Sequence, residues 1–133
     1  MLFLKLIRGG TWRLYAICTT RGDCPLEEFL GNRAELGKDK DRMLRRLEAI
    51  AEHGPEYLPD ISHQIEPEIW QTEQGRIRVL WFYDRGRMIV VSHGFVKRTQ
   101  KTPAREKQTA LRMLAEYKAA RAAGAVVILE DQS

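Results

Sequence analysis

The sequence predicts an α+β fold in which two N-terminal helices and a C-terminal helix pack on a mainly antiparallel sheet. Three observations favour this class. Segments rich in aromatic and β-branched residues flank short turns, Met43, Leu47 and Ile50 repeat at helical spacing, and the elements follow the order strands, two helices, a meander of strands, last helix. At 133 residues, the chain is expected to form a single domain over residues 1–133.

The first half of the chain contains two predicted strands and two predicted helices. Residues 2–7 and 12–18 are strand-like, and the glycine pair between them can close a hairpin. A helix is expected from about Pro25, because proline is tolerated in the first helical turn. A second helix is expected over residues 39–53, and the Gly-Pro pair that follows these residues is expected to end it.

The second half begins with a predicted loop and continues as a meander. Residues 55–68 contain three prolines and are expected to be loop, and residues 69–72 form a short strand. Residues 76–83 and 88–95 are predicted strands, since the turn between them has a glycine where a positive φ is needed. The meander therefore places these two strands side by side.

The last predicted helix begins near residue 103. Thr102 can cap this helix, and Pro103 suits its first position. The helical pattern fades within residues 118–124. Residues 125–129 then form either a final strand or a partly ordered tail.

The positive charge of the chain is concentrated in one region. The formal net charge is +4, but residues 76–112 hold ten Lys or Arg and two acids, whereas the rest holds twelve bases and sixteen acids. Such a local field attracts polyanions, and the aromatic residues interleaved with these bases favour a nucleic-acid surface over a merely solvated basic face.

The N-terminus and the cysteines indicate a cytoplasmic protein without a metal. The apolar N-terminal run is short and interrupted by Lys5, so it is interpreted as a strand rather than a signal peptide, and no run is long enough to span a membrane. Cys18 and Cys24 do not form a disulfide framework, and their spacing matches no zinc pattern. No cofactor is expected.

The segment from residue 93 to residue 103 carries the clearest functional signal. It holds the cations Lys97, Arg98 and Lys101 between an apolar strand and a helix start. The side chains supply positive charge, and a helix N-terminus adds free backbone N–H donors. This combination predicts a phosphate-binding segment, with a nucleic-acid backbone as the ligand.

Two stretches of the sequence resemble a known family. Residues 78–83, Arg-Val-Leu-Trp-Phe-Tyr, and residues 94–103, Gly-Phe-Val-Lys-Arg-Thr-Gln-Lys-Thr-Pro, are similar to the phage-derived, HigB-like branch of the RelE/ParE toxin superfamily. The resemblance covers roughly residues 12–118, so a RelE-like small domain is implied, with residues 1–10 and 121–133 outside its usual core.

The resemblance implies the toxin of a type II toxin–antitoxin system. Such toxins are typically metal-free endonucleases that cut mRNA inside the ribosome and inhibit translation, and a helix-turn-helix antitoxin neutralises them. One departure concerns a Glu-Leu-Arg motif that the family commonly carries before the strand of Arg78. Residues 68–73 read Glu-Ile-Trp-Gln-Thr-Glu here and contain no arginine, so either Arg76 substitutes from nearby or the catalytic set is incomplete.

The hairpin geometry predicts which residues share a site. Arg76 and Arg78 lie on one strand face, and pairing across the turn brings the end of the partner strand, with its cationic segment, next to them. RNA contacts are expected from Arg76, Arg78, Lys97, Arg98, Lys101 and Arg105. Catalytic roles are expected for Arg78, Lys97, Arg98, Lys101 and His93.

The group that takes the 2′-hydroxyl proton stays open at this point. His93 is a candidate because its ordinary pKa is near neutrality, and the alternative is a packing or hydrogen-bonding role in the sheet. Lys97 or Lys101 could serve if neighbouring cations lower its pKa. Two rival functions also remain: a non-catalytic nucleic-acid- or partner-binding protein, and a gyrase inhibitor of the ParE type.

Overall fold

The computed structural model describes residues 1–31, 36–98 and 101–129. Over these residues it contains three helices and seven strands. The helices are α1 (Pro25–Gly31), α2 (Lys38–His53) and α3 (Ala104–Ala122). The strands are β1 (Leu2–Gly9), β2 (Arg13–Cys18), β3 (Ser62–Glu66), β4 (Ile69–Gln74), β5 (Ile77–Asp84), β6 (Met88–Val96) and β7 (Val126–Leu129).

The strands form one mixed sheet in the order β3-β4-β5-β6-β2-β1-β7. Four neighbouring pairs are antiparallel, but β2 runs parallel to β6 and β1 runs parallel to β7. The expectation of a mainly antiparallel sheet with two N-terminal helices is therefore wrong, although the α+β class holds. The β1–β2 hairpin precedes α1 and α2, so these helices are not N-terminal to the sheet. Each parallel pair joins two strands that are distant in the sequence, and helices lie in the connection between them.

Two further expectations change at the edges of the sheet. The region expected to be loop contains β3, which pairs with β4, because its prolines flank the strand instead of interrupting it. The alternatives for residues 125–129 resolve to β7, which pairs with β1.

Each face of the sheet is covered by helices. One face is covered by α1 and α2, and α2 packs there through its buried residues Met43, Leu47 and Ile50. On the other face, α3 packs through Ala110 and Leu114. Both faces are buried, so the central strands are apolar on both sides instead of alternating with polar residues. Among the described residues, no helix has the length and apolar character needed to cross a membrane.

The helix ends agree in part with the expectations. The Gly54 N–H donates to the Ile50 carbonyl oxygen at 2.7 Å, and a φ of 104° at Gly54 lets the chain leave α2 there. Thr102 does not cap α3. Pro103 occupies the N-cap position, and the Thr102 hydroxyl donates instead to Gln71 Oε1 of β4 at 2.7 Å.

A β-bulge in β6 determines which side chains face α3. Leu80 of β5 pairs with His93 whereas Trp81 pairs with Val91, so Ser92 is the extra residue. A regular strand would direct Ser92 and His93 to opposite faces. The bulge breaks this alternation, and both side chains contact α3.

Candidate nucleic-acid interface

The cationic segment lies beside the start of β5, as the hairpin geometry predicts. The Lys97 N–H donates to the Arg76 carbonyl oxygen at 2.7 Å, and Ile77 pairs with Val96 next to it. The side chains of Arg76 and Arg98 are exposed, and Lys97 is half-buried. Three cations therefore lie at one end of the sheet.

The start of α3 is tied to the same part of the sheet by polar contacts. Residues 99–100 lie outside the described residues, and Lys101 beyond them is exposed. The next residue, Thr102, is bonded to Gln71, whose Nε2 lies 3.3 Å from Glu73 Oε1. The same Glu73 oxygen lies 3.5 Å from Arg78 Nε. These contacts connect the segment of Lys101 and the side chain of Arg78 on the α3 face of the sheet.

Arg78 is directed into the protein rather than toward solvent. Its Nη1 donates to the carbonyl oxygens of Gly75 at 2.7 Å and of Ile77 at 2.9 Å, and the side chain is 12% exposed. With Glu73 it forms a cross-strand ion pair that holds the β4–β5 turn, which carries Arg76. The structure thus gives Arg78 a clear structural contribution beside any contact with a ligand.

We expect Arg78→Ala to lower the free energy of unfolding by about 1.5–3 kcal/mol, since charge-assisted hydrogen bonds to two backbone carbonyl oxygens and the ion pair with Glu73 are lost. Arg76→Ala removes an exposed side chain on the same turn, so a change within about 0.5 kcal/mol is expected. Urea denaturation of both variants measures the difference. Equal stabilities would show that the Arg78 contacts contribute nothing.

His93 is buried in a hydrogen-bonded group at the bulge. The side chain is 11% exposed, with Nδ1 at 2.7 Å from Ser92 Oγ and Nε2 at 3.2 Å from Glu106 Oε1. A carboxylate only accepts hydrogen bonds, so the neutral ring donates from Nε2 to Glu106 and accepts from the Ser92 hydroxyl at Nδ1. Burial lowers the pKa of His93, and the hydrogen bond with Glu106 opposes this shift.

This lowered pKa makes stability depend on pH. Below the ordinary value of 6.5, the unfolded chain protonates His93 more readily than the folded protein does. The His93 contribution to the free energy of unfolding is therefore complete above pH 6.5 and falls as the pH drops below it. Urea denaturation at about pH 7.5 and about pH 5.5 should show a smaller loss of stability for His93→Gln than for wild type. The same loss in both proteins would contradict this account.

Arg105 and Glu106 border a cavity at the start of α3. The Arg105 side chain is 86% exposed, and its Nε lies 3.7 Å from Glu106 Oε2. The cavity has a volume of about 480 Å³ and is lined by Phe29, Gly94, Phe95, Val96, Arg98, Pro103, Arg105 and Glu106. Two cations and one carboxylate therefore meet at an opening next to the cationic segment.

The sequence interpretation did not anticipate the polar partners of this site. Glu73 follows the strand expected over residues 69–72, whereas in the structure it lies in β4 and pairs with Arg78. One feature of the sequence could have indicated the role of Glu106. It is an acid in the first turn of a helix that follows the strand of His93, so its side chain can reach back to that histidine. No such feature indicates the role of Ser92, since its contact with His93 depends on the bulge.

The two cysteines do not form a disulfide. Cys18 and Cys24 are buried free thiols, and burial raises the pKa of Cys24 to about 12. Within the described parts of the chain, no group of three or more His, Cys, Asp or Glu is arranged to hold a metal ion.

Comparison with known proteins identifies the family. The family model described as "Phage derived protein Gp49-like (DUF891)" matches residues 36–115, from the start of α2 into α3. The match covers all the candidate site residues, and the family is related to the RelE/HigB toxin-like superfamily. A search of curated proteins finds no match. Because this family model matches more than half of the chain, the chain belongs to the phage-derived Gp49-like family.

Proposed function

We propose that this protein is the toxin of a type II toxin–antitoxin pair and acts as a ribosome-dependent mRNA endonuclease of the HigB-like branch. Membership in the Gp49-like family is consistent with a toxin. The observation that carries the nuclease proposal is the hydrogen bond from the Lys97 N–H to the Arg76 carbonyl oxygen, because it joins two cationic segments at one sheet end. A helix-turn-helix antitoxin would neutralise the protein.

The exposed cations would hold the RNA backbone. In metal-free cleavage the 2′-oxygen gives up its proton and attacks the adjacent phosphorus, the bond from phosphorus to the 5′-oxygen breaks, and the 5′-oxygen takes up a proton from the protonated base or from water. The charge that develops on the phosphorane needs cationic donors. Arg76, Arg98 and Arg105 offer guanidinium groups that match two phosphate oxygens at once, and Lys97 and Lys101 add point charges. Arg78 would keep the turn of Arg76 in place through its carbonyl contacts.

The His93–Glu106 pair supplies the proton-transfer group of this proposal. Glu106 borders the cavity next to Arg98 and Arg105, with a side chain 17% exposed, whereas His93 lies behind it. A carboxylate at the opening can accept the 2′-hydroxyl proton while the imidazole orients it. Glu106→Gln keeps the shape but removes the basic oxygen, so it should slow cleavage by about 10²- to 10⁴-fold.

Induced expression of the wild-type chain tests the proposed function. Cells should stop translation, and mapped mRNA 5′ ends should accumulate within coding regions. In a purified translation system, cleavage should require ribosomes and persist in the presence of a metal chelator added at a level that leaves the ribosomes intact. Intact mRNA under translation arrest would overturn the nuclease assignment.

A gyrase inhibitor of the ParE type is the second candidate function. The same expression experiment separates the two, because inhibition of gyrase produces DNA damage before translation falls. The cationic segment at residues 97–101 favours the nuclease, since inhibition by protein binding does not need a group of phosphate ligands.

A further inference from the structure

A group of aromatic side chains lies at the opposite end of β5 from the cationic segment. Trp81 is buried and stacks on Trp70 with ring centroids 5.4 Å apart. Tyr83 lies 6.3 Å from Trp70 and 6.0 Å from Trp12. The rings thus run from the core to the surface, where Tyr83 is 51% exposed.

The aromatic surface is left open because α2 ends beside it. The Trp12 N–H donates to the carbonyl oxygen of Ala51 at 2.7 Å, and α2 stops at His53. Trp12 and Trp70 are half-buried, so α2 covers them in part, and Tyr83 extends beyond this cover. An exposed tyrosine supported from behind by two tryptophans is a rigid platform for stacking.

Three arginines lie close to Trp12 and Tyr83 along the chain. Arg85 and Arg87 lie in the β5–β6 turn, and Arg13 is held against that turn because its N–H donates to the Arg87 carbonyl oxygen at 2.8 Å. All three side chains are exposed. Among the described residues, no carboxylate lies within 4.0 Å of their guanidinium nitrogens.

The acid of the turn does not cancel this charge at the platform. Asp84 Oδ2 accepts a hydrogen bond from the Tyr117 hydroxyl at 2.6 Å and pairs with Arg121, both on α3 across the sheet. Its other oxygen accepts from the Arg85 N–H at 2.7 Å. The carboxylate is therefore engaged with α3 and the turn backbone. Arg13 Nη2 donates to the Gly86 carbonyl oxygen at 3.4 Å, so this exposed guanidinium is held at the turn, where Arg85 and Arg87 are also exposed to an anion.

We propose that the surface formed by Tyr83, Trp12, Trp70, Arg13, Arg85 and Arg87 is a second binding site, which takes single-stranded RNA. Exposed aromatic rings stack unpaired bases, and arginines beside them contact the phosphates between those bases. The eight residues of β5 separate this surface from the cationic segment by roughly 23 Å, so it is distinct from the proposed cleavage site.

Tryptophan fluorescence reports directly on this surface. The chain has three tryptophans, and all of them belong to this aromatic group. The purified protein is titrated with a 2′-O-methyl oligouridylate of about ten nucleotides, which lacks the hydroxyl that cleavage requires, and with an abasic oligomer of equal length. Quenching by the oligouridylate and not by the abasic oligomer is expected. Equal quenching by both would overturn the proposal.

Variants at Tyr83 separate stacking from charge. Tyr83→Ser should weaken binding of the oligouridylate by roughly five-fold or more, whereas Tyr83→Phe keeps the ring and should bind as wild type does. Thermal unfolding of each variant establishes that it is folded. Unchanged affinity in folded Tyr83→Ser would overturn the assignment of Tyr83.

Variants in the turn count the phosphate contacts. Arg85→Ser combined with Arg87→Asn, in which asparagine tolerates the positive φ of residue 87, should reduce the slope of log affinity against log salt by about 1.4. The control removes the same charge from the exposed side of α2 with Arg42→Ser and Arg45→Ser and should leave the slope unchanged. Equal slopes in the two double variants would refute the site. Because these experiments measure RNA binding, a failure of the proposed cleavage activity does not affect their outcome.

Discussion

Replacing Lys97, Arg98 and Lys101 together by serine is expected to lower mRNA cleavage by at least about 100-fold and to abolish growth arrest. These side chains surround the end of β6 and the start of α3, where the Arg76 turn also lies. Without them, the negative charge of the phosphorane loses most of its cationic partners. The free energy of unfolding should stay within about 1 kcal/mol of wild type, because surface charges contribute little to stability.

The matched control for this variant carries Lys38→Ser, Arg42→Ser and Arg45→Ser. These residues are exposed on α2, and their loss changes the net charge by the same amount. Cleavage is measured on ribosomes from mapped 5′ ends, and urea denaturation establishes that both triple variants are folded. If the α2 variant lost as much cleavage as the first variant, overall charge rather than a phosphate site would explain the effect.

Trp81→Ala should lower the free energy of unfolding by about 3–5 kcal/mol, the largest loss of stability that we expect from a single substitution. The side chain is fully buried between the sheet and α2. Its removal leaves a large cavity, ends the stacking on Trp70, and leaves the Thr72 hydroxyl without the donor that lies at 2.9 Å.

Two comparisons make this prediction specific. Trp81→Phe keeps most of the apolar volume, so urea denaturation should show a much smaller loss than for Trp81→Ala. Tyr83→Ala, at the exposed end of the same aromatic group, should cost about 1 kcal/mol or less. A small loss for Trp81→Ala would mean that the core around β5 collapses to fill the space.

Local patterns in the sequence predicted the parts of the site that depend on the hairpin. The turn between β5 and β6 makes the two strands antiparallel neighbours and so brings the region of Arg76 next to Lys97, and the bulge shifts the register there by one residue. The bounds of α2 followed in the same way from the spacing of its apolar residues and from the glycine that ends it. Short-range rules suffice here because each contact is fixed by a neighbouring turn.

The features that sequence patterns missed depend on distant parts of the chain or on irregular backbone. The parallel pairing of β2 with β6 joins residues separated by two helices and three strands, and no local pattern encodes it. After the bulge at Ser92, side chains of β6 lie on the opposite face of the sheet from the one that strict alternation predicts. Alternation therefore assigns His93 to the wrong face.

The pairing of β1 with β7 has a consequence for synthesis. Residues 2–5 are made before the neighbours that complete their edge of the sheet, residues 126–129, which follow more than a hundred positions later. In the nascent chain, the β1 edge of the β1–β2 hairpin therefore stays unpaired while the ribosome completes α3. This edge of the sheet closes only after residue 129 leaves the exit tunnel.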